Sequence, residues 1–186
     1  MAVDGTRRSI GNYHIADPKE IFGGGPKARF GKNRAAIEAF RAITEEGKTP
    51  EQADRDAMAA YTGWGSFGQE LFQGNWANPR PAKGWEKEDA WLREHLGKEE
   101  WESAQRSILN AHYTDPPTVQ AIWDMVSAMG FTGGRILEPS IGIGNFFGLM
   151  PRAIMARSEL TGIELDTLTG GMAKLLYPEA NIQIKG

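Results

Sequence analysis

With 186 residues, 40% of them hydrophobic, the chain has enough apolar material for one domain with a core and a helical appendage. The absence of cysteine excludes disulfides and cysteine metal sites and suits a reducing cytoplasm, while a formal charge of -3 excludes a strongly basic surface over the whole chain. No apolar run approaches the roughly 20 residues a membrane helix needs, and the initial MAVDGTRRSI has no signal-peptide core, so a soluble, cytoplasmic protein without a membrane partner is expected.

From the N-terminus, Lys19, Lys27, Arg29, Lys32 and Arg34 stand against the single Glu20, and GGGPKARFGKNR reads as a flexible basic leader closing at residue 32. Such a segment either contacts phosphate or is a solvated tail, and the solvated tail is the simpler reading. A helix is predicted over Asn33–Glu46, with Ile37, Phe40 and Ile43 on one face and Gly47 as its stop. Thr49, Pro50 and Gln52 form a capping-box pattern for a second helix carrying Ala53, Ala57 and Tyr61. Glycines then alternate with aromatics in YTGWGSFGQELF (Tyr61–Phe72). A loop exposing Trp64 or Phe67 would stack on a base or cap a cofactor, and the simpler reading is a turn whose aromatics plug the interior. Acidic residues dominate two helical segments between Trp85 and Glu102, a face not expected to touch DNA, and Trp101, Ala104 and Ile108 give the second a helical stripe over Glu99–Leu109. Residues 33–110 thus read as a helical subdomain.

From residue 111 the pattern alternates helix and strand, which implies a parallel sheet with crossover helices, an α/β fold. Helices are predicted at Pro117–Met129, Phe146–Ala156 and Leu168–Tyr177, the last weakened by Gly170 and Gly171, and strands at Arg135–Glu138, Leu160–Leu165 and Asn181–Ile184. A bare edge on the first strand is an aggregation liability, so the N-terminal helices or a second copy of the chain are expected to shield it. His112 has no second ligand at metal spacing and reads as packing; no metal site is expected.

The chemistry concentrates in RILEPSIGIGNFFG (Arg135–Gly148), where a strand ends in Glu138, passes through Gly142 and Gly144 and opens into an apolar helix, the usual cradle of a nucleotide-like cofactor. A dinucleotide site wants G-x-G-x-x-G, yet Phe147 stands where the third glycine belongs. Glu138 at the mouth of the loop would repel a pyrophosphate and attract an ammonium. S-adenosylmethionine carries an ammonium and a sulfonium and no phosphate. Glu164, about twenty residues after Gly144, stands at the offset from which a carboxylate accepts hydrogen bonds from ribose hydroxyls in either kind of site.

Those residues carry a family resemblance. EPSIGIGNF (Glu138–Phe146) resembles the cofactor-binding motif of adenine N6 DNA methyltransferases, an acidic residue, Pro, a small residue (Ser140 here), any residue, then Gly-x-Gly-Asn-Phe. NAHYTDPPTVQAIW (Asn110–Trp123) is similar to the segment just upstream in those enzymes, and GIELD (Gly162–Asp166) to the ribose-binding motif. More narrowly, the chain resembles the N-terminal methyltransferase-like region of large phage- and plasmid-borne adenine N6 DNA methyltransferase/helicase proteins, some of which protect against restriction. The resemblance is strongest from Ile108 onward and fainter from Phe30 to Arg106.

It implies a Rossmann-like S-adenosylmethionine-dependent methyltransferase sheet, with 111–186 as the N-terminal half of that domain. Tyr113 and Thr114 would border the methionine end, Glu138 its ammonium, and the Ser140, Gly142, Gly144, Asn145 and Phe146 loop the space beneath the cofactor. Glu164 would hold the ribose. The family's catalytic Asn or Asp, Pro, any residue, aromatic motif belongs after the strand Asn181–Ile184, so no catalytic residue is assigned here and methyl transfer to DNA is expected only in a longer chain that includes a C-terminal remainder. Asp115, Pro116, Pro117 and Thr118 are the near match, but Thr118 cannot stack on a base, and a proline-primed helix start explains them. Two other readings stay open: a non-catalytic DNA- or protein-interaction module on a degenerate version of the fold, and a dinucleotide oxidoreductase, which Phe147 and Glu138 oppose.

Overall fold

The computed structural model describes residues 11–110 and 113–186. In chain order the elements are α1 (Pro18–Phe22), α2 (Pro26–Glu46), α3 (Gln52–Ala59), α4 (Gly68–Leu71), α5 (Glu86–His95), α6 (Lys98–Asn110), α7 (Pro116–Ala128), β1 (Arg135–Glu138), α8 (Asn145–Gly148), α9 (Arg152–Met155), β2 (Glu159–Glu164), α10 (Thr167–Leu176) and β3 (Asn181–Ile184). The chain is α/β, with a three-stranded parallel sheet in the order β1-β2-β3.

The leader differs from its sequence reading. Residues 11–15 lie as a strap, the Tyr13 N–H donating to the Leu176 carbonyl at 2.8 Å and the Ile15 N–H to the Gly148 carbonyl at 2.9 Å. Arg55 secures it by donating to the Gly11 carbonyl at 2.7 Å and the Leu176 carbonyl at 3.0 Å. Helix α2 begins at Pro26, seven residues before the expected Asn33, because Pro26 is pre-set for the first helical turn and Phe30 and Asn33 carry the buried stripe back toward it. Residues 1–10 of the expected leader lie outside the described residues.

Other boundaries shift for local reasons. The capping box of α3 uses Glu51 and Asp54 rather than Thr49 and Gln52. The helix expected over Phe146–Ala156 is split into α8 and α9 by Pro151, whose missing N–H and restricted predecessor end the first turn. Gly170 and Gly171 do not break α10: a side chain at either would collide with Ile184 or Phe40, so they allow the helix to sit close to β3 and α2.

One hydrophobic cluster runs from the strap through the aromatics of the helical half to Ile182 in β3, so the two halves share a core. In a parallel ladder paired residues point to the same face. The face carrying Leu160 and Ile182 is buried, while the face carrying Leu137 and its partners Thr161 and Asn181 is not, Leu137 being 60% exposed. The N-terminal helices do not shield β1 as expected: α2 and α3 pack on α10, drawn there by its buried Met172, Ala173 and Leu176, and β1 pairs with β2 alone among the described residues.

Candidate functional site

Beyond β1 the chain turns through a loop that only glycine permits, with φ of 56° at Gly142 and 87° at Gly144. The Glu164 carboxylate fastens it to β2, accepting the Gly142 N–H at 2.8 Å on one oxygen and the Leu165 and Asp166 N–H groups at 2.9 Å on the other. A carboxylate has about four acceptor positions, so one is left over. Glu138, half-buried at the end of β1, has its carboxyl raised above the usual value by burial, partly offset by the Ser140 N–H at 3.3 Å.

Tyr113 joins the two halves. Its ring is wedged between Gly142 and Gly63, where a Cβ would meet it at 2.9 and 2.6 Å respectively. The Gly63 turn is held by the buried amide of Asn33, which donates to the Gly63 carbonyl at 2.7 Å and accepts the Thr62 N–H at 2.8 Å. Tyr61 meets the Tyr113 ring edge-on, with centroids 6.4 Å apart. Burial first, then the carboxylates of Glu164 and Asp166, hold the Tyr113 hydroxyl far above its ordinary range, so it stays a neutral donor.

The loop, the ends of β1 and β2 and the flank of α6 enclose a cleft of about 780 Å³. Eight of the nine residues expected from the sequence line it: Tyr113, Thr114, Glu138, Ser140, Gly142, Asn145, Phe146 and Glu164. Gly144 does not. It packs under Tyr177, whose hydroxyl donates to the Gly144 carbonyl at 2.7 Å and whose ring would lie 2.2 Å from any Cβ there, so its role is close packing of the loop on α10. Phe147 is fully buried against the Tyr177 ring at 5.7 Å, filling the place of a third glycine.

Sequence reasoning missed the opposite wall. Glu99, Glu102, Ser103 and Arg106 project from α6 into the cleft, and only tertiary packing brings them there. Asp166 was legible: three residues before Thr169 at a helix start, it has N-cap spacing, and its carboxylate accepts the Thr169 N–H at 2.7 Å and Oγ1–H at 2.6 Å and the Ser103 hydroxyl at 2.7 Å. The carboxylates lining the cleft are Glu99, Glu100, Glu102, Glu138, Glu164 and Asp166; Glu100 is paired with Arg41 at 2.6 Å and Glu102 with Arg106, the guanidinium in the lining, at 3.8 Å. Asn145 is 6% exposed, and its amide nitrogen and oxygen have no hydrogen-bond partner among the described residues. Its neighbour Phe146 is fixed by the Trp123 indole N–H, which donates to its carbonyl at 2.9 Å.

The remaining sequence candidates settle differently. Trp64 and Phe67 are buried, as the simpler reading of their segment has it. The basic run is used internally: Lys27 pairs with Glu88 at 2.6 Å and sits 4.0 Å over the Trp85 ring, Lys32 donates to the Ile21 and Gly23 carbonyls, and Arg34 pairs with Glu38 at 2.8 Å. Asp115 caps α7, accepting the Thr118 N–H at 3.0 Å. His112 lies outside the described residues. Among the described residues no His, Cys, Asp or Glu cluster could hold a metal, and no helix is long and apolar enough to cross a membrane.

The chain is similar to the defense against restriction protein B of Escherichia phage P1, with 30% identity over 76 residues; that stretch is 41% of this chain and 3% of the phage protein. No family model matches the chain, and no solved structure matches it.

Proposed function

We propose that this chain is the S-adenosylmethionine-binding part of an adenine N6 DNA methyltransferase-like protein of the antirestriction kind, built on the first half of a Rossmann-like methyltransferase sheet. The observation that carries the reading is the charge of the cleft at the strand ends: Glu100 and Glu102 are paired with Arg41 and Arg106, while Glu99, Glu138, Glu164 and Asp166 have no ion pair among the described residues. A pyrophosphate would be repelled there, whereas a sulfonium and an ammonium are attracted. The similarity to a phage protein named for defense against restriction supports the biological side of the proposal.

The residues fit the group. Glu138 would accept from the ammonium, the free acceptor position of Glu164 from a ribose hydroxyl, and the loop at Gly142 would lie beneath the cofactor, with Tyr113 and Thr114 at its methionine end. When bound, S-adenosylmethionine supplies an electrophilic methyl group. The chain's own part is to orient it, the wedged Tyr113 and the Glu164-fastened loop limiting how far the walls can move. Calorimetric titration with S-adenosylmethionine, S-adenosylhomocysteine and NAD tests this. The expected result is binding of the first two and not of NAD, with Glu138→Gln weakening S-adenosylmethionine roughly tenfold or more, the value of a charge-assisted hydrogen bond. NAD binding more tightly than either would refute the reading.

A further inference from the structure

The aromatic left on the surface is one that neither glycine-rich segment signals. Trp76 is 51% exposed, while Trp64, Trp85, Trp91 and Trp123 are all under 9%. It stands at the tip of a small hairpin closed by a reciprocal Gln73–Arg80 backbone pair at 2.8 and 2.9 Å, with an Asn75–Asn78 turn and the Ala77 N–H held by the Asn75 side chain. Three further bonds lock the hairpin to the body. Gln105 of α6 donates to the Trp76 carbonyl at 2.7 Å, Arg93 to the Pro79 carbonyl at 3.1 Å, and the Ala82 N–H to the Glu70 carbonyl at 2.7 Å. A hairpin anchored this firmly would be expected to tuck its largest apolar side chain away, yet the backbone is pinned and the indole ring is presented.

Its charge is opposite to that of the cleft. From Leu71 to Trp85 there is no acidic residue, and Arg80 and Lys83 are exposed with no ion pair among the described residues, unlike Lys27, Arg34, Arg41 and Arg93. An exposed indole on a pinned backbone, beside two cations without an ion pair, is what a sequence-tolerant stacking platform for a single strand requires: a π-face for the base and positive charge for the backbone. The hairpin is held by one side of α6 through Gln105, and another side of the same helix, through Ser103 and Arg106, lines the cleft.

We infer that the Gln73–Lys83 hairpin is a nucleic-acid contact, on which an unpaired base stacks on Trp76 while Arg80 and Lys83 meet the adjoining phosphates. The inference deepens the reading of this chain as part of a DNA-modifying protein and needs no occupant in the cleft, so cofactor calorimetry and strand binding can fail separately. The test is fluorescence anisotropy of a labelled twelve-nucleotide mixed-sequence DNA single strand with the whole chain, beside its duplex and an unlabelled-indole readout of emission quenching. The expected results are tighter binding of the single strand than of the duplex, about tenfold loss in Trp76→Ala with substantial retention in Trp76→Phe, and a salt dependence reduced by about 1.4 in logarithmic slope in Arg80→Gln/Lys83→Gln. Because the ring is half exposed and the hairpin is pinned through its backbone, thermal unfolding of Trp76→Ala should match the parent. Equal affinity for duplex and single strand, unchanged affinity in Trp76→Ala, or no binding by the parent chain would overturn the inference.

Discussion

The aromatic interior of the helical half and the cleft beside it are built on opposite terms. Phe30 is surrounded by Trp64, Phe67, Trp85 and Trp91 at centroid distances of 6.0 to 6.3 Å, mostly in edge or tilted geometry, and the cations nearby are neutralised by carboxylates or ring faces. A few steps away, across Tyr113, carboxylates of one sign gather, a buried amide goes unpaired and the backbone runs through positive φ. The first region uses its aromatics on its own packing, with the Trp91 indole N–H and one Asp89 carboxylate oxygen as its own buried atoms lacking a hydrogen-bond partner among the described residues. The second carries costs that a ligand can relieve, which is the difference expected between a scaffold and the site it supports.

The largest effect should come from the scaffold. Phe30→Ala is expected to cost about 3–5 kcal/mol in denaturant unfolding, the usual loss for truncating a buried aromatic, because the four surrounding rings cannot collapse onto the gap. A loss under about 1 kcal/mol would mean that the aromatic cluster is not the organising core. Glycine-to-alanine changes separate the regions by sign. Gly144→Ala should destabilise by about 3 kcal/mol or more, combining a left-handed φ of 87° with a 2.2 Å encounter with Tyr177. Gly31→Ala, on an exposed stretch of α2 with nothing within 4 Å of the new methyl, should stabilise by about 0.5–1 kcal/mol. Equal signs for the two would erase the contrast.

These contrasts also mark what was legible beforehand. The alternation of helix and strand and the whole of β1 and β3 followed from apolar periodicity, and Glu138, Gly142 and Glu164 from an acidic strand end and fixed offsets, while Tyr113, Thr114, Ser140, Asn145 and Phe146 came from the family resemblance. Shielding of β1 by the N-terminal helices, one of the two expected covers, failed because where α2 packs is decided by the glycine-smoothed face of α10, a property of three dimensions. Gly144 was assigned to the cleft because a Gly-x-Gly spelling does not say which glycine faces the ligand and which faces a tyrosine 33 residues away. The α6 wall and Trp76 had no spelling at all. A charged helix face looks the same in sequence whether it meets bulk water or a cleft, and an exposed tryptophan looks like a core one until its hairpin is closed.

Two smaller changes sharpen the distinction inside the cleft itself. Asn145→Leu replaces the unpaired amide with an apolar group of similar shape, so the ligand-free chain should be unchanged or about 1 kcal/mol more stable, since burying an unsatisfied polar group costs and removing it does not. If the amide is kept for a ligand, the same variant should lose affinity for S-adenosylmethionine in the calorimeter; a variant that is destabilised and binds normally would instead make Asn145 part of the scaffold.

Glu138→Gln should have the smallest effect on stability, and its sign depends on pH. Burial raises the folded-state carboxyl above its usual 4.5, so the folded chain holds the proton more tightly than the unfolded chain does. Stability from this group is therefore greatest below about pH 4.5 and falls as pH climbs through the raised value. Replacing the carboxylate with an amide removes that decline: parent and variant should unfold alike in acid, and the variant should be slightly the more stable at neutral pH. A cation placed beside Glu138 reverses the order, because the charged carboxylate is then the favoured form. Thermal scans of both proteins at pH 4 and pH 7.5, with and without S-adenosylmethionine, should show the variant ahead without ligand at the higher pH and behind with it. A variant that stays ahead in both would place the ammonium elsewhere in the cleft.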